Sequence, residues 1–236
     1  MKVVILAGGY GTRLAEYTKN IPKPMVRINN IPILIHIMKH YHRYGFSNFC
    51  IALGYKGSVI KKFFKEKKFK WCNVNLIDTG KDVMTGGRLK RLKKYLQEDE
   101  NFLLTYGDGV SNVNIRDLVK FHTKHKKIGT MTAVRPPVKF GELTIGKKNK
   151  VIRFIEKPQL NKGWINGGFF VLNKKIFKYL RGNNLVFEKE PLTNLCKDGE
   201  LKAFMHNGYW RCMDNINEKN QLEEIFKKKK TIWKIK

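Results

Sequence analysis

Residues 3–25 read VVILAGGYGTRLAEYTKNIPKPM, and the order of residue types in this stretch decides the fold class. A β-branched run, Val3-Val4-Ile5-Leu6, leads directly into Gly8, Gly9 and Gly11, which are followed by Arg13 and by Lys23 between two prolines. Glycine lets backbone N–H groups approach an anion closely, so the order predicts a strand, a phosphate-wrapping turn and a helix start. Two commoner phosphate loops are excluded. The dinucleotide fingerprint G-x-G-x-x-G fails because Leu14 stands where the third glycine belongs, and no Gly-Lys-Ser/Thr group completes a Walker loop. A glycine turn that merely closes a strand–helix unit would need neither Arg13 nor Lys23.

The chain has 236 residues and 27.6 kDa, enough for a substantial core and for one domain. It enters a strand at once and contains no long apolar run, so neither a signal peptide nor a membrane span is expected and cytoplasmic residence is the default. Cys50, Cys72, Cys196 and Cys212 are scattered, without a C-x-x-C pair, and read as buried or half-buried thiols. The net charge of +29 would suit a polyphosphate partner. Its lysines, however, are spread over nearly every element, as in KKFFKEKKFKW, RLKRLKKYL and FKKKK, rather than gathered in one stripe. A solvated surface that attracts small anions is expected, and no nucleic-acid partner.

Strand and helix patterns alternate along the chain. KVVILAG, NFCIALGY, VNLIDTG, NFLLTYGDGVS and GTMTAVRPP read as strands. IPILIHIMKHYHRYG, SVIKKFFKEK, TGGRLKRLKKYLQ and NIRDLVKFHTKHKK read as helices, the first stopping at Gly45. Beyond Pro137 a hairpin, LTIGKKNKVIRFIEKP, turns at Gly146–Lys150 and precedes the strand WINGGFFVLN. The helix EPLTNLCKDG, a last strand LKAFMHNGYWRCMD and an amphipathic helix NEKNQLEEIFKKKK complete the chain. The economical reading is one α/β domain over 1–236, with a mixed, mostly parallel sheet. Residues 1 to about 135 would form a nucleotide-binding half, and 136–236 a sugar-phosphate half with the final helix.

Ligands of such sheets gather at the carboxyl ends of the strands. There Asp108 stands between Gly107 and Gly109, and Asp214 follows GYWRCM. Two carboxylates at two strand ends could share a hard divalent cation, although either could equally be a turn residue and Asp214 a helix cap. Lys157 follows a strand and precedes Pro158; it could bind a phosphate, with Glu156 accepting from sugar hydroxyls, but one lysine in so basic a chain carries little weight.

Taken together, LAGGYGTRL with its later KPM, YGDG at 106–109, EKP at 156–158, NGGFFVL at 166–172 and GYWRCMD at 208–214 resemble the sugar-phosphate nucleotidyltransferases in order along the whole chain. TGKDVMTGGRLKRL, FLLTYGDGV and INGGFFVLN are most similar to the glucose-1-phosphate cytidylyltransferase branch. The resemblance implies a Rossmann-like sheet of the nucleotide-diphospho-sugar transferase type, with a small β-hairpin appendage. It assigns Leu6, Ala7, Gly8, Gly9, Gly11 and Thr12 to the nucleotide loop, and Arg13 and Lys23 to the triphosphate. Asp108, beside the nucleotide, and Asp214 match magnesium ligands, and Lys157 matches the lysine that grips the sugar phosphate. Gly141, Glu156, Asn166 and Gly167 fall at the sugar, and Thr85, Gly86, Gly87 and Arg88 at the base. The implied catalytic set is Arg13, Lys23 and Lys157. One departure stands out: the connection from Lys65 to Asn73 is shorter than in those enzymes, which bears on oligomeric state and sugar choice.

The implied reaction joins CTP and a sugar 1-phosphate, with glucose 1-phosphate foremost, into a CDP-sugar and pyrophosphate, using Mg2+. A homo-oligomer is expected. A phosphate monoester is already largely dianionic near neutral pH, its second pKa being about 6, so no general base is required. His36, His40, His42, His122, His125 and His206 therefore read as packing or surface residues. A uridylyl- or thymidylyltransferase, a nucleic-acid-binding module and a sugar-nucleotide sensor without activity are the alternatives.

Overall fold

All five residues of the first strand, Val3–Ala7 (β1), are buried, as expected for a strand covered on both faces. Val3, Ile5 and Ala7 pack into one core cluster, whereas Val4 and Leu6 pack into another across the sheet. The computed structural model describes residues 1–136, 142–145, 147–155, 163–182 and 184–227.

After β1 come a short helix, Ala15–Thr18 (α1), and a two-stranded ribbon of Arg27–Ile28 (β2) and Ile31–Pro32 (β3). Asn29 and Asn30 both adopt positive φ, the geometry of a two-residue hairpin turn. Helix α2 (Ile33–Arg43) ends as expected before Gly45, whose N–H bonds the His42 carbonyl at 2.8 Å. Next are β4 (Asn48–Leu53), α3 (Gly57–Glu66), β5 (Asn73–Asp78), α4 (Thr85–Arg91), α5 (Lys93–Leu96) and β6 (Asn101–Tyr106). The short connection between α3 and β5 is held by aromatic contacts, with Phe69 5.6 Å from Phe64 and 5.7 Å from Trp71 between ring centres.

β7 (Gly109–Ser111) leads to α6 (Ile115–His125), whose N-terminus is capped by the Asn114 side chain. The rest comprises β8 (Gly129–Val134), the antiparallel hairpin of β9 (Glu142–Ile145) and β10 (Val151–Ile155), β11 (Ile165–Asn173), α7 (Glu190–Lys197), β12 (Leu201–His206), β13 (Trp210–Cys212) and α8 (Ile216–Lys227). The main sheet has the order β12-β8-β11-β6-β1-β4-β5. Only β11 runs antiparallel to its neighbours, so the sheet is mixed and mostly parallel, as the pattern implied.

Three elements differ from the sequence reading. NFLLTYGDGVS is two strands, β6 in the main sheet and β7 outside it. LKAFMHNGYWRCMD is two strands: β12 joins the main sheet beside β8, and β13 leaves it to pair with β7. The helix read over 85–97 breaks at Leu92 into α4 and α5. Among the cysteines, Cys196 is exposed rather than buried. None of the helices among the described residues is long and apolar enough to cross a membrane.

Three histidines serve the core. His36 and His40 bond the carbonyls of Ile28 and Val113, and His122 lies between Thr130 and Asn101. Burial holds the pKa of both His40 and His122 down at about 4. Because the unfolded chain titrates near 6.5, it binds more protons than the fold between pH 6.5 and 4; the stability from neutral burial is complete above 6.5 and falls across that window. Urea unfolding should therefore show each histidine contributing a slope of about 1.4 kcal/mol per pH unit there. His122→Gln should flatten the slope by one proton, and an unchanged slope would show that His122 does not titrate on unfolding.

Candidate active site

At the end of β1 the chain turns through Gly8–Gly11. Gly11 has φ 66° and ψ 33°, and a Cβ there would come within 2.9 Å of Thr18 Cγ2, so only glycine makes this turn without strain. Its carbonyl accepts from the Leu14 N–H and the Thr18 hydroxyl, both at 3.0 Å, which fixes the loop to the helical turn behind it. Gly9 faces open space, with nothing within 4 Å of a Cβ position. The loop borders a cleft of about 670 Å3, within the usual range for a small-molecule site.

Four charges meet beside the loop. Pro22 is extended and Lys23 opens a tight 3-10 turn with Pro24 as its second residue, so Lys23 is presented rigidly between two prolines. Its Nζ lies 2.6 Å from Asp108 Oδ2 and 2.6 Å from Asp214 Oδ1. Arg13, its side chain 74% exposed, reaches Asp214 Oδ2 at 2.8 Å from the open side. The pairing of β7 with β13 brings the two carboxylates together, because Gly109 faces Cys212 and the Met213 N–H donates to the Asp108 carbonyl at 2.9 Å. Burial opposes charge at Lys23, but Asp108 and Asp214 outweigh it and raise the lysine pKa above its ordinary value. At Asp214 burial again opposes charge, and the bond and charge of Lys23 prevail, holding the carboxyl below its ordinary value.

The donors here fit a hard divalent cation. Asp108 and Asp214 present carboxylate oxygens to one point, and a positive charge already lies there. Cys212 and Glu218 lie close to Asp214, but burial pushes the thiol up to about 12 and Glu218 Oε2 accepts the Asp214 N–H at 2.6 Å. A protonated thiol is a poor partner for such an ion, so the fitting pair is Asp108 and Asp214. Asp214 does not cap the final helix: the Asn215 side chain accepts the Glu218 N–H at 3.0 Å.

The other end of the cleft is closed by residues 185–188. The Leu185 carbonyl accepts from the N–H groups of Gly86 and Gly87, at 2.8 and 3.1 Å, capping α4. Glu188 accepts from the Thr85 hydroxyl at 2.6 Å and from the Tyr106 hydroxyl at 2.5 Å. Asn166 Nδ2 donates to Tyr106 at 3.3 Å, and Trp210 Nε1 donates to the Gly167 carbonyl at 2.7 Å. Burial, then the adjacent Glu188, raise the Tyr106 pKa and keep its hydroxyl a donor. Across the cleft mouth Tyr10 bonds Asp82.

The cleft thus unites Leu6, Ala7, Gly8, Gly9, Gly11, Thr12 and Arg13 with Lys23 and Asp108. Thr85, Arg88, Asn166, Gly167 and Asp214 also line it. Gly86 and Gly87 do not: their N–H groups and the space above Gly86 are taken by Leu185. Arg88 borders the cleft with its guanidinium turned into the protein, onto the carbonyls of Gly8, Leu53, Gly80 and Lys81. Gly141, Glu156 and Lys157 lie outside the described residues. Tyr10, Asp82, Tyr106, Glu188 and Trp210 were not legible as site residues: nothing in FEKEP separates Glu188 from Glu190, and only the docking of the strap does.

The nucleotidyl transferase family profile matches residues 2–218, and the chain belongs to that family. It is 45% identical over 255 aligned positions to the glucose-1-phosphate cytidylyltransferase of Salmonella typhimurium, covering 99% of each chain. It is 40% identical to a probable glucose-1-phosphate cytidylyltransferase of Bacillus subtilis, covering 100% of each. Alignments longer than this chain's 236 residues mean that these relatives carry segments without a counterpart here. Among solved structures, HddC from Yersinia pseudotuberculosis complexed with GMP-PN superposes with a TM-score of 0.76 at 27% identity, over 95% of this chain and 99% of that one.

Lys23→Met should leave Asp108 and Asp214 facing one another without their shared cation. Because all three side chains are partly buried, the loss at pH 7 should be about 2 kcal/mol, between the values for exposed and buried pairs. Millimolar-range Mg2+ should then raise the variant's melting temperature more than that of the unmodified protein. Equal shifts would argue against a divalent ion binding between the two aspartates.

Proposed function

We propose that this nucleotidyl transferase moves the cytidylyl group of CTP to a sugar 1-phosphate, glucose 1-phosphate foremost, forming the CDP-sugar and pyrophosphate. The observation that carries the reaction class is the convergence of Arg13, Lys23, Asp108 and Asp214 beside the open Gly9. Such a set suits a triphosphate and a metal ion better than any uncharged ligand. The choice of cytosine and glucose is supported by full-length likeness to glucose-1-phosphate cytidylyltransferases.

In the reaction an oxygen of the sugar phosphate attacks the α-phosphorus in line, forming the new P–O bond while the bond to the β-phosphate breaks and pyrophosphate departs with the electron pair. The nucleophile needs no base. That agrees with the cleft, where among the described residues there is no histidine. Asp108 and Asp214 would hold Mg2+, which supplies charge neutralisation at the triphosphate. Lys23, rigid between its prolines, fixes a positive charge beside the loop, and the exposed Arg13 can turn to the departing phosphates. Lys157, Glu156 and Gly141 belong to the sugar-phosphate side of this reading, together with Asn166 and Gly167. Thr85 and residues 81–84, which line the cleft, belong to the base side of this reading.

A matrix of nucleoside triphosphates against sugar 1-phosphates, read by pyrophosphate release, tests the assignment. CTP should exceed UTP in kcat/KM by at least about tenfold, since each buried group left unpaired by the wrong base costs roughly 1–3 kcal/mol. Equal values would overturn the cytidylyl assignment and leave nucleotidyl transfer standing.

Asp108→Asn and Asp214→Asn should each lower kcat by on the order of a hundredfold, with circular dichroism unchanged. An aspartate whose variant keeps normal turnover at limiting Mg2+ is not a ligand.

A further inference from the structure

Arg88 is 4% exposed, and its partners are neutral. Its terminal nitrogens donate to the carbonyls of Gly8, Leu53, Gly80 and Lys81 and to the Thr79 hydroxyl, at 2.7 to 3.0 Å. These acceptors sit at the carboxyl ends of β1, β4 and β5, three adjacent parallel strands. One planar cation therefore spans the strand ends beneath the phosphate loop. Its slot is walled by two glycines: a Cβ on Gly8 would lie 2.3 Å from the guanidinium carbon, and one on Gly54 would lie 2.2 Å from a terminal nitrogen. The Tyr55 N–H also donates to the Gly8 carbonyl, at 3.1 Å.

We propose that Arg88 is a positioning residue for nucleotidyl transfer. It holds the Gly8–Gly11 loop at a fixed height over β4 and β5, so that the loop's N–H groups meet the triphosphate in one orientation. Gly8 and Gly54 are glycine to admit the guanidinium. The two terminal nitrogens are committed to these acceptors and are not free to bind a phosphate. Arginine is required because a planar fork with five N–H donors can reach several carbonyls together, whereas an ammonium is a compact point charge with three.

The test compares the unmodified enzyme with Arg88→Ala, Arg88→Lys and Gly54→Ala; Gly54 is outside the cleft lining and can reach the chemistry only through the slot. The kinetic arm rests on the proposed CTP reaction. The second arm, amide hydrogen exchange of residues 5–14 without substrate, does not, so failure of either reading is seen separately. All three variants should exchange faster in that segment. Each should lose about a hundredfold in kcat, measured per folded protein at saturating substrates, as expected for a loop displaced by about 1 Å. The KM for the sugar phosphate should change by less than about threefold. Guanidinium ion, well below denaturing concentration, should restore turnover to Arg88→Ala, methylammonium should not, and neither should help Gly54→Ala. Lower thermal stability with unchanged kcat and loop exchange in the folded variants would reduce Arg88 to a packing residue. So would failure of every variant to fold, since the role would then belong to the fold as a whole.

Discussion

The ammonium of Lys23, held between Asp108 and Asp214, ties together three parts of the chain that are far apart in sequence. Lys23 comes from the turn between α1 and β2, Asp108 from the turn between β6 and β7, and Asp214 from the residues that follow β13. None of the three would be stable there alone, since a partly buried charge without a counter-charge is costly. Together they balance to one net negative charge, which Arg13 meets from the solvent side. The cleft is thus assembled through an electrostatic closure, and the β7–β13 pairing supplies its geometry.

Three cations of the cleft are used in two opposite ways. Lys23 and Arg13 are held by carboxylates, partners that an anionic ligand could replace. Arg88 is held by backbone carbonyls of three strand ends, which have no other way to exchange partners without distorting the sheet. The first arrangement leaves charge available to a ligand; the second makes the loop under that ligand stiff. The strap at 185–188 adds a third restraint, because Leu185 caps α4 and Glu188 binds Thr85 and Tyr106 together.

Sequence periodicity determined much of the architecture. The apolar strands, the helix stop at Gly45, the hairpin after residue 137 and the mostly parallel sheet follow from patterns a few residues long, because backbone hydrogen bonding and side-chain alternation are local. The glycine loop with Arg13 and Lys23, and the aspartates at strand ends, were legible for the same reason: each is a short motif at the edge of a recognisable element. The break of LKAFMHNGYWRCMD into two strands was not, since each half reads as extended and only their different partners, β8 and β7, separate them.

What tertiary structure alone decided is which polar groups remain open to a ligand. In a chain with a net charge of +29, residue type cannot distinguish a cation facing the cleft from one turned away, and Arg88 is the case in point. Gly86 and Gly87 look like part of a base site until Leu185 takes their N–H groups, and Glu188 looks like any helix-flanking glutamate until Thr85 and Tyr106 reach it. These outcomes depend on partners many elements away, set by strand order and loop docking. Local sequence determines the donors and acceptors a segment carries; the packed fold determines which of them meet each other and which are left to meet a substrate.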